Sequence, residues 1–79
     1  MKVWIHITLK SGVLDTQGKA TENALHALGF EGIRNVRQGK FIELELNQTD
    51  PNKALSQAED MCQKLLANTV IENYKVELA

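Results

Sequence analysis

The sequence has few of the residues that mark several large classes of protein. Its single cysteine, Cys62, cannot form an internal disulfide, and no cysteine or histidine cluster surrounds it to bind zinc. No apolar run approaches the roughly 20 residues that cross a bilayer. The N-terminus alternates polar and apolar residues, unlike a signal peptide. We therefore expect a cytoplasmic protein with no membrane segment and no structural metal.

Net charge and aromatic content are also low. The formal net charge is −1 and aromatic residues make up 5% of the chain, whereas nucleic-acid-binding domains carry a basic patch or stripe. RNA-recognition modules stack bases on aromatic residues of their central strands. Here Glu43 and Glu45 would lie beside Trp4 and Phe41 and would repel phosphate. The sequence therefore disfavours a nucleic acid as partner.

Groups that could catalyse a reaction are scattered along the chain. His6 lies within a predicted strand and His26 on a predicted helix surface, and neither has a nucleophile near it in the sequence. Ser11 and Ser56 have no nucleophile-elbow motif around them. We therefore expect no catalytic residue in this chain.

What the sequence does have is a regular alternation of predicted strands and helices. Its 79 residues are enough for one small domain, 1–79. Apolar and polar residues alternate over 3–10 and again over 40–47, which predicts two half-buried strands, and 71–78 is the predicted last strand. A weaker strand is predicted at 33–37, with a turn at Gly39.

The first predicted helix follows Asp15, whose carboxylate can cap it, and ends at Gly29, which suits a left-handed helix end. Lys19, Glu22 and His26 fall on its solvent side. Small apolar residues recur at helical spacing and predict close packing on a sheet: Ala20, Ala24, Ala27 and Leu28.

The second predicted helix begins at Asp50-Pro51, where the carboxylate caps and the proline loses no needed hydrogen bond, and Cys62 lies in its apolar stripe.

The element order is then β-α-β-β-α-β. This order predicts an α+β, ferredoxin-like split βαββαβ fold, with two helices on one face of a four-stranded antiparallel sheet.

In such a fold the sheet face without helices is open. Trp4, His6 and Phe41 fall on that face. Exposed faces that carry large aromatic residues commonly meet another subunit or a ligand. We therefore expect these three residues to mediate self-association.

The segments 13–30, 39–44 and 70–74 resemble the PurS family, the small subunit of phosphoribosylformylglycinamidine (FGAM) synthase in purine biosynthesis. The motifs that carry the resemblance are the Leu-Asp-x-Gln-Gly loop, the Leu-Gly-Phe helix exit and the Gly-Lys-Phe-Ile-Glu-Leu strand. The resemblance extends over essentially the whole chain. One departure is Thr16, where the family usually has proline.

The resemblance implies a part in a three-component ligase. A glutaminase subunit releases ammonia, and a large synthetase subunit uses ATP and magnesium to activate the amide oxygen that ammonia displaces. The small subunit is implied to be non-catalytic, to hold no cofactor, to form homodimers or dimers of dimers, and to bridge the other two subunits. Five polar residues are the expected contacts with the larger subunits: Asp15, Gln17, Lys19, Arg37 and Lys40.

An alternative reading is a stand-alone regulatory domain. Some βαββαβ modules bind a small molecule where a glycine-containing loop meets the first helix. The segment Gly12–Gly18 could serve in that way.

Overall fold

The computed structural model, which describes residues 1–79, has an α+β fold with three strands and two helices. The strands form one antiparallel sheet, in which the first strand of the chain lies between the second and the third. The last turn of the second helix widens into a π-helical turn over Cys62–Leu66. In chain order the elements are β1 (Lys2–Leu9), α1 (Thr16–Ala27), β2 (Gly39–Glu45), α2 (Pro51–Met61) and β3 (Glu72–Leu78).

The core lies between β1 and α2. Val3 and Ile5 are fully buried and Ile7 is 1% exposed, so the predicted period-two alternation of the central strand is confirmed. Small residues on α2 and its extension let the helix approach the sheet closely. The buried members of that surface are Ala54, Ala58, Cys62 and Ala67.

The helix ends follow the capping residues predicted from the sequence. Asp50 accepts hydrogen bonds from the first turn of α2, and Pro51 is its first residue. At the end of α1, Gly29 has φ +94°. The Phe30 N–H donates to the Leu25 carbonyl oxygen over 3.1 Å, which closes a Schellman motif.

The predicted fourth strand at 33–37 is wrong. This segment pairs with no strand and runs beside α1, where the Val36 N–H donates to Glu22 Oε1 over 3.2 Å. Asn35 has φ +59°, a left-handed conformation that interrupts an extended strand. The sheet therefore has three strands, and the ferredoxin-like four-stranded sheet is not formed within this chain.

The predicted packing of α1 on the sheet is also wrong. The helix makes no extensive contact with any strand or with α2, which alone covers one sheet face. Together with the return segment 28–38, α1 forms a projection that we call the arm. The radius of gyration is 15.8 Å, against about 12 Å for a compact chain of this length. The molecule therefore has an elongated shape of 49 × 24 × 15 Å.

Two glycines sit where another backbone passes close by. Gly39 is the first residue of β2, not the predicted turn, and a Cβ there would meet the Ile7 carbonyl oxygen. A Cβ on Gly18 would meet the Val36 carbonyl oxygen of the return segment. Gly18 therefore sets how closely the two halves of the arm pack.

We expect Gly18→Ala to destabilise the fold, although alanine is the better helix former. The added Cβ would displace the return segment and would lie 2.7 Å from Asp15 Oδ2. The free energy of unfolding, measured with urea, should fall by about 1–3 kcal/mol. Gln17→Ala, an exposed neighbour in the same turn, is the control and should change it by less than about 0.5 kcal/mol. An unchanged midpoint for Gly18→Ala would contradict this packing.

Candidate functional site

Asp15 joins the two ends of the arm. The residue is buried, with 6% of its surface exposed. Oδ1 accepts from the Gly18 N–H at 2.7 Å, and Oδ2 accepts from the Gln38 N–H at 2.6 Å. These two N–H groups hold the pKa of Asp15 below its usual range, and the Gln38 N–H has the larger effect. The residue is therefore both the helix cap predicted from the sequence and a long-range tie to the start of β2.

Glu22 makes a second tie, further along α1. Oε1 accepts from the Val36 N–H and Oε2 accepts from Lys19 Nζ at 3.1 Å. The Val36 N–H and the Lys19 ammonium both lower the pKa of the Glu22 carboxyl, and the Val36 N–H has the larger effect. The expectation that Glu22 faces solvent is wrong, since it is 9% exposed. Gly18 lies four residues before Glu22 on the same helix face. A glycine inside a helix indicates that another segment approaches closely there, and this is the feature of the sequence that could have predicted the burial of Glu22.

Arg37 holds the loop that leads from β1 into the arm. Its guanidinium donates to the Val13 carbonyl oxygen over 3.0 Å and to the Lys10 carbonyl oxygen over 3.2 Å. These bonds satisfy backbone groups in a loop that has no strand partner. Arg37 therefore keeps this loop against the return segment.

Two shallow cavities flank Asp15. One, of about 160 Å³, has Gln17 and Lys40 in its lining, and the other, of about 230 Å³, has Lys19 and Arg37. The structure thus brings the five residues predicted to contact larger subunits to one place. We call this the arm-base site, defined by Asp15, Gln17, Lys19, Arg37 and Lys40.

The arm-base site has neighbours that the sequence prediction left out. Arg34 and Leu14 line the larger cavity, and the Leu14 side chain is 76% exposed. Leu14 directly precedes the capping Asp15, but the sequence pattern around Leu14 does not show whether its side chain faces the core. Its exposure adds an apolar group to the polar residues of the site.

The aromatic residues predicted for the open sheet face also lie together. The ring centroids of His6 and Phe41 are 5.1 Å apart, and those of Trp4 and Phe41 are 6.0 Å apart. Trp4 Nε1–H donates to Glu43 Oε1 at 2.9 Å, which holds the pKa of that carboxyl below its usual range. His6 Nε2 lies 2.7 Å from Glu77 Oε1. We call this surface, with Trp4, His6 and Phe41 at its centre, the aromatic face.

Groups that could bind a metal do not come together. No three histidine, cysteine, aspartate or glutamate side chains are arranged to hold a metal ion. Cys62 is buried in the core, as predicted, and burial raises the pKa of its thiol. The helices are too short and too polar to span a bilayer.

Comparison with known proteins identifies the family. The family model for PurS, described as phosphoribosylformylglycinamidine (FGAM) synthase, matches residues 2–79. The chain belongs to the PurS family. A PurS subunit of this synthase from Synechocystis sp. is 49% identical over 74 residues, which are 94% of this chain and 74% of the relative. The chain is therefore a subunit of FGAM synthase, as its resemblance implied.

Solved PurS structures share the fold over nearly the whole chain. PurS from B. subtilis superimposes with a TM-score of 0.86 at 42% identity, covering 99% of this chain and 96% of that one. A chain in the structure described as PurLQS from Thermotoga maritima superimposes with a TM-score of 0.89 at 31% identity, covering 99% of this chain and 95% of that one. Coverage of this extent includes the arm.

We expect Asp15→Asn to destabilise the protein most at neutral pH. Asparagine still caps α1, but it lacks the charge and has one acceptor oxygen for two N–H groups. Because the folded-state pKa of Asp15 is lowered, its carboxylate stabilises the fold above the unfolded value of about 3.9, and this is lost as the pH falls through the folded pKa. The difference in unfolding free energy between parent and variant should therefore shrink below about pH 4, as measured by urea titrations at several pH values.

The matched control is Asp50→Asn, at the other helix cap. Asp50 accepts only from N–H groups two and three residues along the chain, so this variant loses no long-range tie. A loss of stability as large as that of Asp15→Asn, with the same pH dependence, would contradict the bridging role of Asp15.

Proposed function

We propose that this chain is a non-catalytic subunit that self-associates and bridges the glutaminase and the large synthetase subunit of FGAM synthase. The observation that supports this most strongly is its superposition, over 99% of its length, on a chain of the PurLQS structure from Thermotoga maritima. The complex would convert formylglycinamide ribonucleotide, glutamine and ATP into FGAM, glutamate, ADP and phosphate. ATP and magnesium would be used by the large subunit, in the cytoplasm.

The arm-base site is the proposed contact with a larger subunit. The carboxylates of Asp15 and of the neighbouring Glu22 are turned inward and bonded to backbone N–H groups. The cations of the site are on the outside, since the Lys19 and Lys40 side chains are 63% and 65% exposed. The site therefore presents a cationic surface on a rigid base, and such a surface fits an acidic patch on a partner.

Bridging would support ammonia transfer for a chemical reason. Ammonia released into bulk water is protonated to ammonium, which is not a nucleophile. An assembly that holds the two active sites in fixed positions shortens the path between release and use. The small subunit can contribute to this through its shape and surface alone, without a reactive group of its own.

The aromatic face is the proposed self-association contact. Phe41 is 56% exposed and packs at an angle against the rings of Trp4 and His6. Aromatic side chains dominate the energetics of many interfaces because each buries a large area. A second copy placed against this face would bury the cluster.

We expect the double variant Lys19→Glu/Lys40→Glu to impair the complex without unfolding the chain. Each lysine makes one ion pair in which the lysine side chain is largely exposed (63% and 65%) and the carboxylate side chain is not (11% and 12%), so the variant should lose some stability but remain folded. Reversing both charges places like charges against an acidic partner, so glutamine-dependent FGAM synthesis by the reconstituted complex should fall on the order of tenfold or more. The circular dichroism spectrum should not change.

A matched control, Lys53→Glu/Lys64→Glu, reverses one lysine of α2 and one of the π-helical turn that follows it, away from the arm-base site. This variant should retain glutamine-dependent synthesis. Supplying ammonium salt in place of glutamine should restore much of the activity of Lys19→Glu/Lys40→Glu, since the synthetase then needs no ammonia from the glutaminase. Full glutamine-dependent activity of that variant would remove the two lysines from the contact.

We expect Phe41→Ser to weaken self-association. Losing an aromatic ring from a contact costs about 2–3 kcal/mol of apolar burial, so the dissociation constant should rise tenfold or more. Asn73→Ser is the control, because Asn73 is exposed on the same sheet face and carries no ring. Sedimentation velocity over a concentration series measures both. Identical curves for Phe41→Ser and the parent would contradict this role of the aromatic face.

A further inference from the structure

Leu14 is an exposed leucine between two residues that are less exposed. Its side chain is 76% exposed, whereas Val13 is half-buried and Asp15 is buried. A single exposed leucine is common on protein surfaces and by itself indicates no function. The bonds on either side of Leu14 and the charges around it distinguish this residue from such a leucine.

The backbone is fixed on both sides of Leu14. On one side, the Val13 N–H donates to the Lys10 carbonyl oxygen over 3.1 Å, and the Val13 carbonyl oxygen accepts from the Arg37 guanidinium. On the other side, the Asp15 carboxylate accepts from two backbone N–H groups. The Cα–Cβ bond of Leu14 therefore points in a fixed direction, and a group that is already ordered loses little conformational freedom on binding.

Cationic side chains surround Leu14. It lines the cavity of about 230 Å³ together with Lys19, Arg34 and Arg37. Arg34 is exposed and makes no ion pair within the chain. Arg37 donates to two carbonyl oxygens, but a guanidinium has five N–H groups, so Arg37 keeps donors for a partner.

The carboxylates in this cavity are already engaged within the arm. Both oxygens of Asp15 accept from backbone N–H groups, and the two oxygens of Glu22 accept from a backbone N–H and from Lys19. A carboxylate for Arg34 would therefore come from another molecule.

We propose that Leu14 is the apolar anchor of the arm-base contact, and that it enters a pocket of apolar side chains on the larger subunit, rimmed by carboxylates that pair with Arg34 and Arg37. An apolar centre within a polar rim is the common anatomy of a protein interface. The inference rests on the proposed bridging function and names the chemistry of the partner surface. It adds Leu14 and Arg34 to the residues that make this contact.

A second copy of this chain fits the site less well. Its aromatic face carries apolar rings, but the two carboxylates beside them are already engaged, since Glu43 accepts from Trp4 Nε1–H and Glu77 lies 2.7 Å from His6 Nε2. Arg34 would have to displace one of these contacts. A partner surface with free carboxylates requires no such exchange.

A titration with the small subunit tests the anchor. Fixed amounts of the purified glutaminase and synthetase are titrated with this chain, and glutamine-dependent FGAM synthesis gives a half-saturating concentration and a maximal rate. Leu14→Ala should raise the half-saturating concentration on the order of 10- to 100-fold, because most of a buried leucine side chain is lost from the contact. The maximal rate should stay near that of the parent, since Leu14 belongs to neither active site.

Two matched variants control for this effect. Leu65 is 83% exposed and lines neither cavity beside Asp15, so Leu65→Ala should leave the half-saturating concentration unchanged. Leu14→Met keeps the apolar volume and should stay within about threefold of the parent.

The outcomes separate this inference from the proposed function. Equal half-saturating concentrations for Leu14→Ala and Leu65→Ala would overturn the inference and would leave the bridging function standing, because the chain would still be required. A parent chain that does not stimulate glutamine-dependent synthesis would overturn both. Sedimentation velocity tests the other occupant: if Leu14→Ala loses self-association where Leu65→Ala keeps it, Leu14 contacts a second copy and the inference is wrong.

Salt dependence tests the acidic rim of the partner pocket. Arg34→Gln should raise the half-saturating concentration roughly fivefold at low salt, and this difference should shrink at high salt, where ions screen exposed charges. Lys53→Gln, in the first turn of α2, removes an exposed cation that lines neither cavity and should have no effect. Equal values for Arg34→Gln and Lys53→Gln at low salt would overturn the pairing of Arg34 with a partner carboxylate.

Discussion

The carboxylate of Asp15 is the interaction on which the rest of this structure depends. It caps α1 through the Gly18 N–H and, 23 residues further along the chain, holds the Gln38 N–H where β2 is about to begin. One buried charge thus determines both where the helix starts and where the return segment ends. Because both bonds involve an ionised acceptor, each is stronger than a neutral hydrogen bond.

The direction of the arm follows from this tie. With its two ends joined, α1 must run beside its own return segment, so its polar face, not its apolar one, becomes the internal contact. The helix of a compact βαββαβ domain would instead lie on the sheet. The chain therefore keeps uncovered apolar surface on both the arm and the sheet, which a small domain can stabilise by association.

These features fit a subunit whose contribution is shape and surface. The arm-base site has one inward carboxylate, that of Asp15, and outward lysines, and on the aromatic face Phe41 packs against the rings of Trp4 and His6. Neither arrangement places a nucleophile beside a base. The PurS family membership and the fold shared with a chain of the PurLQS structure agree with a part in a larger ligase.

The sequence by itself determined the features that depend on neighbouring residues. The alternation in β1, the caps at Asp15 and Asp50, and the Schellman end at Gly29 were all predictable, because each depends on residues a few positions apart. The proximity of the arm-base residues depends instead on the bond between Asp15 and the Gln38 N–H, which joins segments 23 residues apart. Only the tertiary structure decided that 33–37 has no strand partner and that Glu22 is buried. A segment becomes a strand only if another strand is present to pair with it, and an apolar helix face packs only against a surface that the chain can bring to it. The spacing of residues within a segment shows neither of these conditions.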